Sequence, residues 1–216
     1  MKYFLNEAER LDLERLVKES EPRAGAQIVL AVIGRSDNYT EIPWKAFAAG
    51  AVLSGLVVLA VSLIYPVWIT GSAILISLAT VSGTGIILAL ATIIWPRCAR
   101  LFLSNYRKET ETMQYAESMF LNHEHFATSK RNCILMMVSL FERQVVILPD
   151  RGLRGRLEST VTDQVIAVMK SPLRQHRIKA ALEAGLMELV GRLSVNPSAS
   201  PSVNELSDKI IEEEGV

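Results

Sequence analysis

A mixed α/β domain interrupted by a two-helix transmembrane hairpin is the architecture this sequence predicts, on three observations. From Ala46 to Pro96 the chain carries no Asp, Glu, Lys, Arg or His. Before that stretch stands a near-continuous β-prone run, Gln27 to Gly34 (QIVLAVIG). After it stand two more, Ile134 to Leu140 (ILMMVSL) and Gln144 to Leu148 (QVVIL). An unbroken apolar run is the mark of a strand buried on both faces. A lone strand cannot stand, so the first must be completed by residues encoded beyond the hairpin.

The first element is a helix. Asn6 is placed to cap it, with Glu9 three residues on as the return half of a capping box. Leu11, Leu13, Leu16 and Val17 give it an apolar face, and Pro22 is expected to end it. The first strand follows. The uncharged stretch then holds two runs of membrane length, Ala46 to Tyr65 and Ser72 to Trp95, since a bilayer core of about 30 Å needs roughly 20 apolar residues in helix. Pro66 and Gly71 favour a turn between them. Trp44 and Trp95 are expected at one membrane interface and Tyr65 and Trp68 at the other, where amphipathic rings concentrate. Trp44 to Tyr65 spans about 32 Å of helix, close to one core thickness. Gly50 with Ser54, and Ala79 with Gly83, have the small-xxx-small spacing that lets membrane helices approach closely; the general abundance of small residues in such helices explains them as well. Neither span holds an ionisable side chain, which disfavours an ion path through it.

Lys45 precedes the first span, and Arg97, Arg100, Arg107 and Lys108 follow the second, while the connecting turn is uncharged. The positive-inside rule therefore places both termini and the flanking domain in the cytoplasm, with two spans in the membrane.

Arg97 to about Asn122 has helical spacing, with Leu101, Met113, Ala116, Met119 and Phe120 apolar among charges. The next two runs are β-prone, and Phe141-Glu142-Arg143 is short enough for a hairpin between them. Thr160 to Lys170 and Leu173 to Leu193 read as helices separated at Pro172. Asn196 to Ser202 reads as a linker, and Asn204 to Val216 as a short acidic helix or frayed tail. The division is thus 1–42 (first helix and strand), 43–96 (hairpin), 97–195 (remainder of the domain) and 196–216 (linker and acidic tail).

Chain direction orders the sheet. The first strand runs toward the membrane and the helix after the second span carries the chain away from it. The second strand therefore runs back and lies parallel to the first, as a helical crossover permits, and a tight turn makes the third antiparallel. Asp37 and Asp150 then fall at opposite edges, and Asp150 should neighbour Thr128 to Asn132.

Composition excludes some functions. The 216 residues carry balanced charge, 23 basic against 23 acidic, which argues against a general nucleic-acid binder. Cys98 and Cys133 are the only cysteines and are expected to stay reduced in the cytoplasm. His123-Glu124-His125 invites a metal reading, but alternate residues on one helix point apart and His-x-x-x-His spacing is absent. A solvated helix end accounts for them. Arg174, His176, Arg177 and Lys179 form a basic cluster that suits either a solvated face or contact with anionic lipid or phosphate. No phosphate loop, nucleophile elbow or zinc cysteine set is present.

The order of elements resembles a known family. The opening helix and QIVLAVI, then Ala116 to Phe126 leading into Arg131-Asn132-Cys133-Ile134-Leu135, then Val138 to Leu148 and Asp150-Arg151-Gly152-Leu153, resemble the TPM-domain family. More narrowly they are similar to its bacterial branch with a two-helix hairpin after the first strand, and Asn204 to Asp208 fits that branch. The resemblance implies an α/β/α sandwich around a small mixed sheet. It also implies two activities known in some members, divalent-cation binding through acidic loop residues and acid phosphatase activity. The family often has Asp-Asn-Gly ahead of the second strand; here Arg131, Asn132 and Cys133 stand there, a base in place of the acid. Calcium or magnesium would want oxygen ligands, for which Asp150, Glu158 and Asp163 are the candidates. An ion pair of Asp150 with Lys130 or Arg131, and capping of the helix at Thr160 by Asp163, explain the same residues without metal.

The expected function is a membrane-anchored accessory module for assembly or maintenance of other membrane proteins, with no assembled catalytic set. The alternative is a divalent-metal-dependent phosphatase at the membrane surface. The expected partners are the lipid bilayer and other membrane proteins, not nucleic acid, with a homo-oligomer left open.

Overall fold

The computed structural model describes residues 4–65, 70–194 and 205–215. The chain forms two compact units. One comprises Met1–Asp37 with Glu109–Val216 and the other comprises Asn38–Lys108.

The first unit is built on a four-stranded mixed sheet in the order β3-β2-β1-β4. Its strands are β1 (Gln27–Arg35), β2 (Cys133–Ser139), β3 (Gln144–Pro149) and β4 (Ile211–Gly215). β1 and β2 run parallel with Gln27 opposite Cys133 and Ala31 opposite Met137, and β3 is antiparallel to β2. Every residue of β2, and β1 from Gln27 to Ile33, is buried, as their unbroken apolar runs require. Side chains alternate between two cores. Ile28, Leu30, Ile134 and Met136 pack with the helices α1 (Glu7–Ala24), α6 (Ser159–Arg174) and α7 (Ile178–Ser194). Val29, Ala31, Leu135 and Met137 pack on the other face with Ala116, Met119 and Phe120 of α5 (Asn105–Asn122). The result is an α/β/α sandwich.

The ends of the helices depart from expectation for local reasons. The Asn6–Glu9 capping box is complete. α1 continues through Pro22 and ends at Gly25 (φ 63°), whose N–H donates to the Glu21 carbonyl, so the left-handed glycine rather than the proline stops it. Leu11 lies off the buried face, 56% exposed. α6 likewise runs through Pro172 in its last turn, and the break falls at His176 (φ 58°). The expected continuous helix from Arg97 is two, α4 (Pro96–Leu101) and α5. Ser104 begins the second, its hydroxyl accepting from the Arg107 N–H at 3.3 Å. Leu101, 83% exposed, does not contribute to the core.

The acidic end of the chain is neither helix nor frayed. It is β4, parallel to β1 and paired from Ala31–Ile211 to Arg35–Gly215. Its glutamates are held by the fold. Glu212 Oε2 accepts the Phe4 N–H at 2.7 Å and the Leu5 N–H at 3.3 Å, and Glu213 Oε2 accepts from the Tyr115 hydroxyl at 2.6 Å. Gly215 (φ 82°) lies so close to the Arg35 carbonyl that no Cβ fits. Segment 196–202, expected as a linker, lies outside the described residues.

The second unit is a helical hairpin. α2 (Glu41–Ile64) and α3 (Gly71–Ile94) have mean hydropathies of 2.5 and 2.2, with only 11% and 6% of the most apolar windows buried, and both are long and apolar enough to cross a membrane. Their close approach is at Gly50 and Gly85. A Cβ at Gly50 would stand 3.0 Å from Gly85 Cα, and one at Gly85 would stand 2.8 Å from Phe47. Gly83 faces open space, Ala79 is exposed, and the Ser54 hydroxyl turns back to the Gly50 carbonyl at 2.7 Å. The contact thus falls two residues beyond Gly83. Trp44, Tyr65 and Trp95 are exposed at 74%, 59% and 59%, and Trp68 lies outside the described residues.

Candidate functional site

Polar side chains gather where β1 and β2 begin and β3 ends, an edge assembled from four separated parts of the chain. Asp150 follows β3, and its N–H donates to the Cys133 carbonyl at 2.8 Å. Its Oδ1 accepts from the Arg151 N–H at 2.6 Å and so caps the short 3-10 helix Arg151–Leu153. Its Oδ2 is buried and stands 3.0 Å from Arg131 Nε, an ion pair without an aligned hydrogen bond. The neighbourhood of Asp150 with 128–132 is the expected one. Gly152 closes it, its N–H donating to the Arg131 carbonyl at 2.8 Å, with room for no Cβ against the Lys130 carbonyl. Arg131 itself is left-handed (φ 52°) and lays its guanidinium 5.4 Å from the Phe126 ring centroid.

Asn132 ties this corner to α1 and β1. Its side-chain amide donates to the Gly25 carbonyl at 3.2 Å and its backbone carbonyl accepts the Gln27 N–H at 3.0 Å. Glu21 Oε1 accepts the Ile28 N–H at 2.9 Å. Burial, opposed in part by that hydrogen bond and reinforced by nearby Asp208, pushes the Glu21 carboxyl up to about 7. Burial first, then Asp150 and Glu21, pushes the Cys133 thiol up to about 12, which keeps it a protonated core group rather than a nucleophile. The C-terminal segment closes the edge. Gln27 Oε1 accepts the N–H groups of Glu205 and Leu206, and Glu205 accepts both the hydroxyl (2.6 Å) and N–H (2.7 Å) of Ser129. Those two bonds hold the Glu205 carboxyl below its usual range.

Sequence reasoning found Asp150 and Arg131 but not Glu21, Gln27 or Glu205. The available signals were a polar Gln opening an apolar strand and a Glu preceding a helix-ending Gly.

The acids expected to share a cation are not brought together. Glu158 is exposed at the N-cap of α6 without a side-chain capping bond, and Asp163 is exposed beyond the first turn, so capping does not account for it either. Among the described residues no three His, Cys, Asp or Glu side chains are grouped to hold a metal ion. A guanidinium beside the buried oxygen of Asp150 is the wrong neighbour for a hard cation, so the donor set here does not fit calcium or magnesium.

His123 and His125 do not point apart. α5 ends at Asn122 and Glu124 is left-handed (φ 52°), so the rings stack at 5.5 Å and 9°. His125 is buried against Phe120 with neither ring nitrogen hydrogen-bonded. Burial, with His123 adding, lowers its pKa to about 4.

Residues 100–192 match the family model described as the TPM domain. Among solved structures, the NMR structure of BA42 protein from the psychrophilic bacterium Bizionia argentinensis sp. nov. superposes with a TM-score of 0.58 and 13% sequence identity. The match covers 98% of this chain and 97% of that chain and is a likeness of fold. No curated protein matches the chain.

Proposed function

We propose that the chain, whose residues 100–192 match the TPM-domain model, is a membrane-anchored accessory module. In this reading the sandwich serves assembly or maintenance of other membrane proteins while α2 and α3 hold the chain in the bilayer. The observation that carries it is how the acids at the sheet edge are used. Asp150 faces Arg131 and caps the 3-10 helix, Glu21 receives a strand N–H, and Glu205 receives Ser129. Carboxylates already engaged by protein donors favour a built scaffold over a hydrolytic centre. The exposed apolar length of both helices favours anchoring. The basic residues flanking the spans favour a cytoplasmic sandwich at an inner membrane.

Two measurements test this reading. Cross-linking of the full chain in its native membrane, followed by detergent extraction, is expected to recover the same integral membrane proteins in repeated preparations. Recovery of the chain free of any partner contradicts the proposal. In parallel, hydrolysis of p-nitrophenyl phosphate with magnesium or calcium is expected to be at background in both the native chain and Asp150→Asn. Ion-dependent turnover lost in Asp150→Asn would instead establish the phosphatase.

A further inference from the structure

The sandwich has an open seam far along the strands from the Asp150 edge. Of the partly buried apolar side chains on the α1/α6/α7 core, five (Leu140, Val145, Ile166, Leu173 and Ile178) line one cavity of about 490 Å³. It lies between the end of β2, the start of β3, the last turns of α6 and the turn into α7. That volume is within the ordinary range for small-molecule sites, which runs from about 300 to 1,000 Å³.

Its rim is of one sign. Arg143, Lys170, Arg174 and His176 line it, and no Asp or Glu does. Some basic groups elsewhere on the sandwich are paired, Lys179 with Asp12 at 2.7 Å, Arg192 with Glu188 at 2.8 Å, and Arg131 with Asp150. None of the four rim groups has such a partner among the described residues. The one carboxylate in the β2–β3 turn, Glu142, is buried and turned away, taken up by the Ser36 N–H and hydroxyl and by the Ser139 hydroxyl. Two rim residues, Arg143 (φ 56°) and His176 (φ 58°), hold the left-handed backbone that non-glycine residues rarely adopt. Three unneutralised cations, Arg143, Lys170 and Arg174, with the His176 imidazole beside them, stand over an apolar floor and complement a ligand with an anionic head and an apolar tail.

We propose that this cavity binds a small amphiphile carrying a phosphate head, with Arg143, Lys170, Arg174 and His176 around the phosphate and the side chains of Val145, Ile166 and Ile178 around the tail. The site is separate from the accessory reading above and does not rest on it. The exposed cations supply the affinity for the head, and the half-covered core residues supply it for the tail.

Octyl phosphate, titrated into the full chain in zwitterionic nanodiscs, is the probe, with methyl NMR at Ile166 and Ile178 as the readout. Saturable shifts of both methyls are expected, with inorganic phosphate and octyl glucoside each binding at least 10-fold more weakly. The double variant Lys170→Gln/Arg174→Gln removes exposed groups and is expected to weaken octyl phosphate at least 10-fold while leaving the methyl spectrum folded. Ile166→Ser tests the tail half and is expected to do the same. Equal binding of octyl glucoside would reduce the site to an apolar groove, and equal binding of inorganic phosphate to a surface anion site. Either result overturns the proposal. So does unchanged affinity in the double variant, or no shift of either methyl.

Discussion

Glu21 is where a single side chain most directly couples stability to pH. Its carboxyl is raised to about 7 in the fold from 4.5 otherwise, so the fold favours its protonated form. That contribution is fully present below about pH 4.5 and is lost as pH rises through about 7. Glu21→Gln keeps an acceptor for the Ile28 N–H without the charge. Urea unfolding should find the variant about 1 to 3 kcal/mol more stable than the native chain at pH 8, with no gain at pH 4. An equal difference at both values would remove burial of charge as the cause. His125 has the opposite sign. Its lowered pKa means stability that is present above about 6.5 and is lost as pH falls through about 4. His125→Phe keeps the ring against Phe120 and removes two buried nitrogens without partners. At pH 7.5 it should stabilise by about 1 kcal/mol, and it should abolish the acid-side loss; a destabilised variant would mean that the nitrogens are satisfied. Neither residue was legible as titrating from sequence. Glu21 sits among surface charges on a polar helix, and His125 follows a helix whose end had to be known before its ring could be placed. Asp150 was legible in its place, because strand direction sets the end of the third strand beside 128–132, and so was its basic neighbour.

At the scale of elements, hydrophobic pattern identified what hydrophobic burial decides. The runs QIVLAVI, ILMMVSL and QVVIL became β1, β2 and β3 with the expected directions, because burial on both faces leaves little other use for them. The ends decided by backbone conformation were misplaced. Gly25 and His176, not Pro22 and Pro172, stop α1 and α6. β4 was not legible at all. Ile-Glu-Glu-Glu-Gly has no strand pattern of its own and is made a strand by Tyr115, Phe4, Leu5 and the free edge of β1. It follows that β4 depends on the one glycine its register demands. Gly215→Val faces both a left-handed backbone and the Arg35 carbonyl. Hydrogen exchange should show amides of 211–215 and of β1 facing them losing protection while the β1–β2 pairing keeps its own. Protection unchanged along β4 would mean that the strand is not held at Gly215.

On the scale of the whole molecule, the chain order is the central matter. Residues before and after a pair of apolar helices build one sheet, β1 from the amino-terminal part and β2, β3 and β4 from the rest. Such a domain can close only if both ends of the hairpin emerge on one side of the bilayer. The direct measurement places single cysteines at exposed Lys18 in α1 and exposed Lys170 in α6, in a Cys98→Ser background, and labels them with a membrane-impermeant maleimide in sealed vesicles of known orientation. Both positions are predicted to react from the same, cytoplasmic side and to be protected together when the vesicles are inverted. Labelling of the two positions from opposite sides would contradict the interrupted sheet.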